Sequence, residues 1–233
     1  MPQIRLNKHL ADLGIASRRE ADRFIQKGLI KVNGKIITEM GVKVDPEVDK
    51  ITYLDEVRET QEKHVYIVLN KPKDYVCSSK ATRMDPWIVL DLVDVEERIY
   101  PVGRLDKDST GLIILTNDGT LTTKLIHPSS ECEKEYEVTF YSPIPMGSIH
   151  KLEDGVRLWG EKTLPTRVEK VGPAKIRIVL KEGKNRQVRR VCQKVGYPVK
   201  GLKRIRIKRL HLRDLPIGRW RRLSAQEVSD LKK

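Results

Sequence analysis

PVGRLDKDSTGLIILTNDG, residues 101–119, sets one aspartate, Asp106, between Arg104 and Lys107 and then runs into four aliphatic residues, Leu112 to Leu115. The apolar run predicts a strand, as does RIYPVGRLD before it, so the charged segment between them is a loop. As an isolated pattern, Asp106 caps a turn or pairs with Arg104. As a functional group it is a carboxylate held among cations, the form in which it serves as nucleophile or base. A phosphate-cradling loop would need G-x-x-x-x-G-K-[ST], which is absent. Two-carboxylate chemistry with Asp108 asks two residues in one loop to face the same substrate. The residues alone stop short of naming a reaction.

Further strands are expected around this loop. HVYIVLNKP ends at Lys71-Pro72 because proline has no N–H for a ladder. KEYEVTFY alternates, with Tyr136, Val138 and Phe140 on one face, and AKIRIVL alternates too. In NRQVRRVCQKVG, Val188, Val191, Cys192 and Val195 recur at helical spacing, with Asn185 as cap and Gly196 as stop. RIRIKRLHL reads as a strand with Arg204, Arg206 and Lys208 on one side, slipping by one residue at Arg209 as a bulge would cause. Ser224 to Glu227 forms a capping box that opens a terminal helix. Many strands with few helices predict an α+β domain on a mainly antiparallel sheet with flanking helices.

The charge is concentrated. The 233 residues carry a formal net charge of +14, and residues 181–222 alone hold 16 lysines and arginines against Glu182 and Asp214. The rest of the chain balances. Such a segment suits a surface that neutralises phosphates, each cation releasing a condensed counterion. Cys77, Cys132 and Cys192 are far apart and form no C-x-x-C pair, and the five histidines are scattered, so neither a disulfide framework nor a metal site is expected. Cys77 reads as a small buried hydrophobe. No apolar stretch approaches the roughly 18 residues of a membrane span and no signal peptide is evident, so a cytoplasmic protein without membrane contact is expected.

The first residues form a separate pattern. Leu6, Leu10 and Leu13 recur at helical spacing up to Gly14, Ser17 and Glu20 form a capping box for a second helix ending at Gly28, and Asn33-Gly34 marks a hairpin. LDEVRETQEK, residues 54–63, is polar and aperiodic and reads as a linker between a domain at 1–53 and another at 64–233. RLNKHLADLGIASRREADRFIQKGLIKVNGK resembles the small S4-like RNA-binding domain of helix, helix and hairpin. The resemblance implies that its basic residues, Arg5, Arg18, Arg19, Arg23 and Lys31 among them, meet structured RNA.

GRLDKDSTGLIILTNDG in turn resembles the defining motif of the pseudouridine synthases, in the branch that carries an S4-like module ahead of the catalytic domain. LNKPKDYVCSS, EKEYEV, KEGKNRQVRRVCQKVGYPV and LKRIRIKRLHLRDLPIGRWRRLS match that branch in the same order. The resemblance implies isomerisation of an RNA uridine: the N1–C1′ bond breaks, the uracil rotates, and C5 bonds to C1′. It assigns Asp106 as the essential aspartate, Tyr136 as the tyrosine that packs on the base, and Arg189 as the cation that pairs with the aspartate. It implies that Arg104 fills the space left by the flipped-out nucleotide. Lys107, Lys184, Arg186, Arg190, Arg204 and Arg206 are expected to contact RNA. The substrate implied is ribosomal RNA, with KNRQVRR and LPIGRWRRLS resembling members that act on 23S rRNA and, in one case, a tRNA anticodon loop. No metal or cofactor is expected, and a monomer is. The alternatives are a small-subunit 16S rRNA enzyme and a non-catalytic RNA-binding or assembly factor.

Overall fold

The structure, a computed structural model, describes residues 3–13, 15–53 and 64–233, so the expected helix stop at Gly14 and the linker at 54–63 lie outside the described residues. The chain divides into two compact units, one holding residues up to 65 with 117–120, the other 66–116 and 121–233. Among the described residues no helix is long and apolar enough to cross a membrane.

In the first unit, β1 (Ile4–Arg5) leads into α1 (Leu6–Asp12), and α2 (Arg18–Gln26) follows. Ser17 Oγ accepts from the Glu20 N–H at 3.3 Å, satisfying one of the free donors of the first turn of α2. Next come β2 (Ile30–Val32), β3 (Lys35–Ile37), β4 (Lys43–Val44) and β5 (Ile51–Tyr53). Asn33 and Gly34 join β2 to β3 with φ of +51° and +80°, the positive pair that a type I′ turn requires. The sheet order is β3-β2-β5, and β1 pairs with β4. Leu6, Leu10, Ala21, Ile25 and Ile30 form the core. Leu13, grouped with them by spacing, is 46% exposed because α1 ends at Asp12. Arg18, Arg19 and Arg23 stand on the other face of α2, away from that core.

The second unit contains β6 (Tyr66–Lys71), β7 (Tyr100–Pro101), β8 (Thr110–Thr116), all but the first two residues of α3 (Gly119–Ile126), β9 (Lys134–Phe140), α4 (Met146–Glu153), β10 (Arg157–Leu158) and β11 (Glu161–Lys162). It continues with β12 (Arg167–Gly172), β13 (Lys175–Leu180), α5 (Gln187–Lys194), β14 (Val199–Ile207), β15 (Leu210–His211), β16 (Trp220–Arg222) and α6 (Ala225–Lys232). The large sheet runs β12-β13-β9-β14-β8-β6-β16. Every pairing along it is antiparallel except β14 with β8.

That parallel junction sits mid-sheet and places the site. Leu112 to Leu115 of β8 are fully buried, each aliphatic side chain contributing about 1.5–3 kcal/mol of hydrophobic free energy. Gly111 is required there. Its φ is +104°, and a Cβ would overlap the Arg204 carbonyl of β14. One core, around Val138, Ile176, Ile178, Val188 and Val191, seats α4 and α5, and another, around Leu112, Ile114, Leu121 and Leu231, seats α3 and α6.

Two local expectations are corrected. RIRIKRLHL is a hairpin rather than one strand. Ile207 pairs with Leu210 across a two-residue turn with Lys208 at φ +47°, and the register shift falls between Arg204 and Arg206. Asn185 is not the cap of α5: Arg186 occupies that position in the left-handed conformation, φ 49° and ψ 32°, while Asn185 Oδ1 accepts from Arg190.

The capping box at Ser224 is present, and Arg221 adds a two-pronged pair to Glu227 at 2.8 Å for each prong. The Arg221 bond and the Ser224 N–H hold the Glu227 carboxyl at about 2 against the cost of partial burial. A depressed carboxyl stabilises the fold above its unfolded value and loses that contribution as pH falls. With Arg221 36% exposed, solvent screening limits the pair to about 1 kcal/mol. Glu227→Gln is therefore expected to lower the urea midpoint at about pH 6, where the wild-type carboxyl is fully ionised in both states. The gap between variant and wild type should close as pH falls from 4.5 through about 2. A gap independent of pH would contradict this origin.

Candidate active site

Loop 102–109 joins β7 to β8 and is clamped along its length. The Val102 N–H donates to Ile114 at 2.8 Å, and the Ser109 N–H donates to the Asp106 carbonyl at 3.0 Å, closing a tight turn. The stretch after β6 holds the other side. Asp74 N–H donates to the Lys107 carbonyl at 2.9 Å, and Leu105 N–H donates to Cys77 Sγ at 3.3 Å. Cys77 is thus a hydrogen-bond acceptor as well as a packing group, and burial pushes its thiol pKa up.

Lys71 completes the clamp. It is fully buried, and its Nζ donates to the carbonyls of Ser109 (2.7 Å), Pro72 (2.9 Å) and Lys107 (3.4 Å). Burial lowers its pKa, and the charges of Cys77, Asp108, Asp74 and Asp106 act in the opposite sense. In the sequence Lys71 reads only as the end of a strand. The signal for more is a lysine close behind the apolar IVL of β6, where a lysine is buried only if its ammonium is spent on backbone carbonyls.

The loop opens onto a pocket of ≈ 440 Å³, inside the range of roughly 300–1,000 Å³ found for small-molecule sites. Asp106, Tyr136, Arg104, Arg186 and Arg204 line it, with Leu180 and Leu202 as apolar wall. Asp106 is 29% exposed, and Arg186 Nη1 lies 3.6 Å from its Oδ2. Tyr136 is half-buried on β9, packed against the core around Val138.

Arg189 does not take its expected partner. Its Nη2 meets Asp108 Oδ2 at 3.2 Å, the Asp108 carbonyl at 3.1 Å and Ser109 Oγ at 3.3 Å. Arg186 is the arginine that spans both acids, reaching Asp108 at 2.9 Å as well as Asp106. The left-handed cap turns Arg186 toward the loop, while Arg189, one turn inside the helix, ties α5 to the start of β8. Burial opposes the charge on Asp108, but the Arg186 hydrogen bond and the charges of Arg189 and Arg186 win, leaving its pKa below the usual carboxylate value.

The remaining expected RNA-binding residues divide. Arg104 is exposed at the pocket mouth. Lys107 pairs with Asp85 at 2.8 Å, Lys184 with Glu161 at 3.3 Å, and Arg190 stacks 4.9 Å from the Trp159 ring centroid. In the first unit Arg5, Arg18, Arg19 and Arg23 are exposed, and Lys31 is partly exposed. Two expectations fail as surface sites. Arg204 is 2% exposed, and Arg206 is engaged by Glu135 at 2.6 Å and Glu133 at 3.2 Å.

A carboxylate on a clamped loop thus shares one pocket with a tyrosine and an arginine in this sheet. The family model for RNA pseudouridylate synthase matches residues 65–194, and the chain belongs to that family. The model for the S4 domain matches residues 4–49. The chain is 43% identical over 232 residues to the dual-specificity RNA pseudouridine synthase RluF of Escherichia coli strain K12, covering 99% of this chain and 79% of that protein. It is 38% identical over 234 residues to ribosomal large subunit pseudouridine synthase B of Bacillus subtilis strain 168, covering 98% of this chain and 95% of that protein. A crystal structure of a pseudouridylate synthase superposes with a TM-score of 0.72 at 30% identity, covering 98% of this chain and 99% of the other.

Proposed function

We propose that this pseudouridine synthase converts a specific uridine of large-subunit ribosomal RNA, using Asp106 to engage the ribose or base, Tyr136 to pack on the flipped uracil, and Arg186 beside the carboxylate. The observation that carries the reading is the meeting of Asp106, Tyr136 and Arg186 in one pocket. The substrate class rests on the likeness to a dual-specificity RNA pseudouridine synthase and to a large-subunit synthase. A cytoplasmic monomer is in keeping with ribosomal RNA as substrate, and a tRNA is a second candidate substrate.

A base stacked in a duplex cannot offer its glycosidic bond to a side chain, so extrusion comes first, at a cost of a few kcal/mol. Phosphate binding elsewhere offsets it. Arg104, at the pocket mouth, fills the gap left in the stack, and Arg189 orders the loop through Asp108 rather than touching Asp106. The reaction itself balances within the substrate: N1–C1′ breaks, C5–C1′ forms, the C5 proton leaves and N1 takes one from solvent. It needs no oxidant and no leaving group.

The test is to map pseudouridine by chemical modification and primer extension on RNA from cells with and without the gene. One large-subunit position should lose its stop. A lost small-subunit stop would move the substrate to 16S rRNA, and no change in any RNA would remove the enzymatic reading in favour of a binding or assembly factor.

In the same proposal residues 1–53 form the RNA-capture module, 54–63 the linker and 64–233 the catalytic domain. Arg18, Arg19 and Arg23 reach solvent on one face of α2. Replacing all three by alanine should weaken RNA binding and flatten the log-log salt dependence by about 0.7–0.9 for each phosphate that is no longer neutralised. Filter binding across roughly 50 to 200 mM salt, a range over which the effect is about tenfold or more, measures it. An unchanged slope would put the RNA on another face.

A further inference from the structure

We propose, resting on the reading above, that Arg204 is a further catalytic residue: its free guanidinium edge receives a carbonyl oxygen of the flipped uracil as negative charge gathers on the ring. The residue sits at the centre of the site. On β14 it registers with Tyr136 of β9 on one side and with Gly111 of β8 on the other, and it is one of the residues lining the pocket that holds Asp106.

The side chain is built to present a donor. Its Nε donates to the Leu112 carbonyl at 2.7 Å, which fixes the plane of the guanidinium. Nη2 is buried without an acceptor among the described residues. A buried guanidinium with an unused donor is costly, so an orphan of this kind calls for a partner that arrives later. Arg206, two residues on, shows the contrast. It is neutralised by both Glu135 and Glu133, whereas Arg204 has no such pair among the described residues.

A second, half-buried cation stands beside it. Lys134 also lines the pocket and spends its ammonium on the carbonyls of Cys132 (2.9 Å) and Leu125 (3.4 Å). Burial lowers its pKa, and the neighbouring Arg204 charge pushes the same way. Two cations share this wall, an environment suited to incoming negative charge.

The chemistry supplies that charge. When N1–C1′ breaks heterolytically, its electron pair stays on the uracil and spreads over O2 and O4. The ring then forms C5–C1′ with an electron pair of its own, after which the C5 proton leaves and N1 is protonated, so nothing is oxidised or lost. Carbonyls of neutral uridine accept more weakly than those of the departing ring. A donor fixed at their position therefore favours the transition state over the bound substrate.

The test compares wild type with Arg204→Gln and Arg204→Lys on RNA carrying uridine, 2-thiouridine or 4-thiouridine at the target position. Single-turnover rates, RNA affinity and urea midpoints are measured. Arg204→Gln should slow isomerisation by on the order of 100-fold, with RNA affinity holding within about threefold, as expected of an interaction made in the transition state. In wild type one of the two thio substitutions should slow the reaction, because sulfur is the poorer acceptor. In Arg204→Gln the same substitution should cost nothing more, the coupling expected of groups that touch. A sulfur effect that persists in the variant, or a rate loss matched by weaker binding, would overturn the proposal. If neither variant folds, wild type alone still decides: no slowing by either thio substitution sinks it. A wild-type protein that modifies no ribosomal uridine would instead defeat the substrate reading.

Discussion

Asp106→Asn is expected to slow pseudouridine formation by on the order of 10⁴-fold while leaving RNA affinity unchanged or slightly tighter. Asparagine preserves the size and turn geometry of the loop, whose closure uses the Asp106 backbone carbonyl and not the carboxylate. What it removes is the charge that faces the pocket beside Arg186. In the proposed reading RNA is captured by cations at the mouth and in the first unit, and deleting an anion near the mouth should not weaken that capture. The comparison that isolates the effect is Asp108→Asn. That side chain is held by Arg186 and Arg189, so its loss loosens the loop without removing the reacting group, and a fall of about tenfold is expected. Single-turnover assays on the mapped substrate, with filter binding alongside, measure both. Turnover by Asp106→Asn within about tenfold of wild type would end the assignment of Asp106.

Periodicity locates β8, β9, β13 and α5, because in these elements one face or both packs into a core and the sequence must repeat with the fold. Asp106 and Tyr136 are legible as a pair only through the order of motifs, since Tyr136 alternates with Val138 like any core residue. Other features stay hidden for physical reasons. A left-handed residue at Arg186 breaks the helical geometry on which i, i+3 reasoning depends, so the arginine that meets Asp106 lies one turn before the one the motif suggests. The register shift between Arg204 and Arg206 interrupts the period of two, so residues that alternate on paper do not share a face. Parallel pairing with β8 closes the other edge of β14 and buries Arg204, and pairing partners cannot be read from one strand alone. Lys71 is hidden because a buried lysine looks like the end of a strand until the carbonyls it serves are in place.

Lys71→Met is the second change of large expected effect, and the sign of each contribution can be followed. Removing the ammonium recovers the cost of burying a charge, several kcal/mol, and leaves the Ser109, Pro72 and Lys107 carbonyls without their donor, at about 1–3 kcal/mol each. The two nearly cancel, so the fold should survive with a net loss of about 2 kcal/mol. The loop does not survive as well. Lys71 joins β6 to the two carbonyls that flank Asp108, and without it Asp106 and Arg104 drift together. A displacement of about 1 Å costs about 100-fold, and with both groups affected the single-turnover rate should fall by on the order of 10³. The pH dependence gives an independent check. Burial holds the folded pKa of Lys71 below the unfolded lysine value of 10.5. Between those two values the unfolded chain binds the extra proton, so stability rises with pH across the alkaline window. Wild type should show a steeper alkaline rise in its urea midpoint than Lys71→Met, which keeps only the contribution of other lysines held low, Lys134 among them. A variant with wild-type turnover, or with the alkaline rise intact, would mean that the clamp on the catalytic loop lies elsewhere.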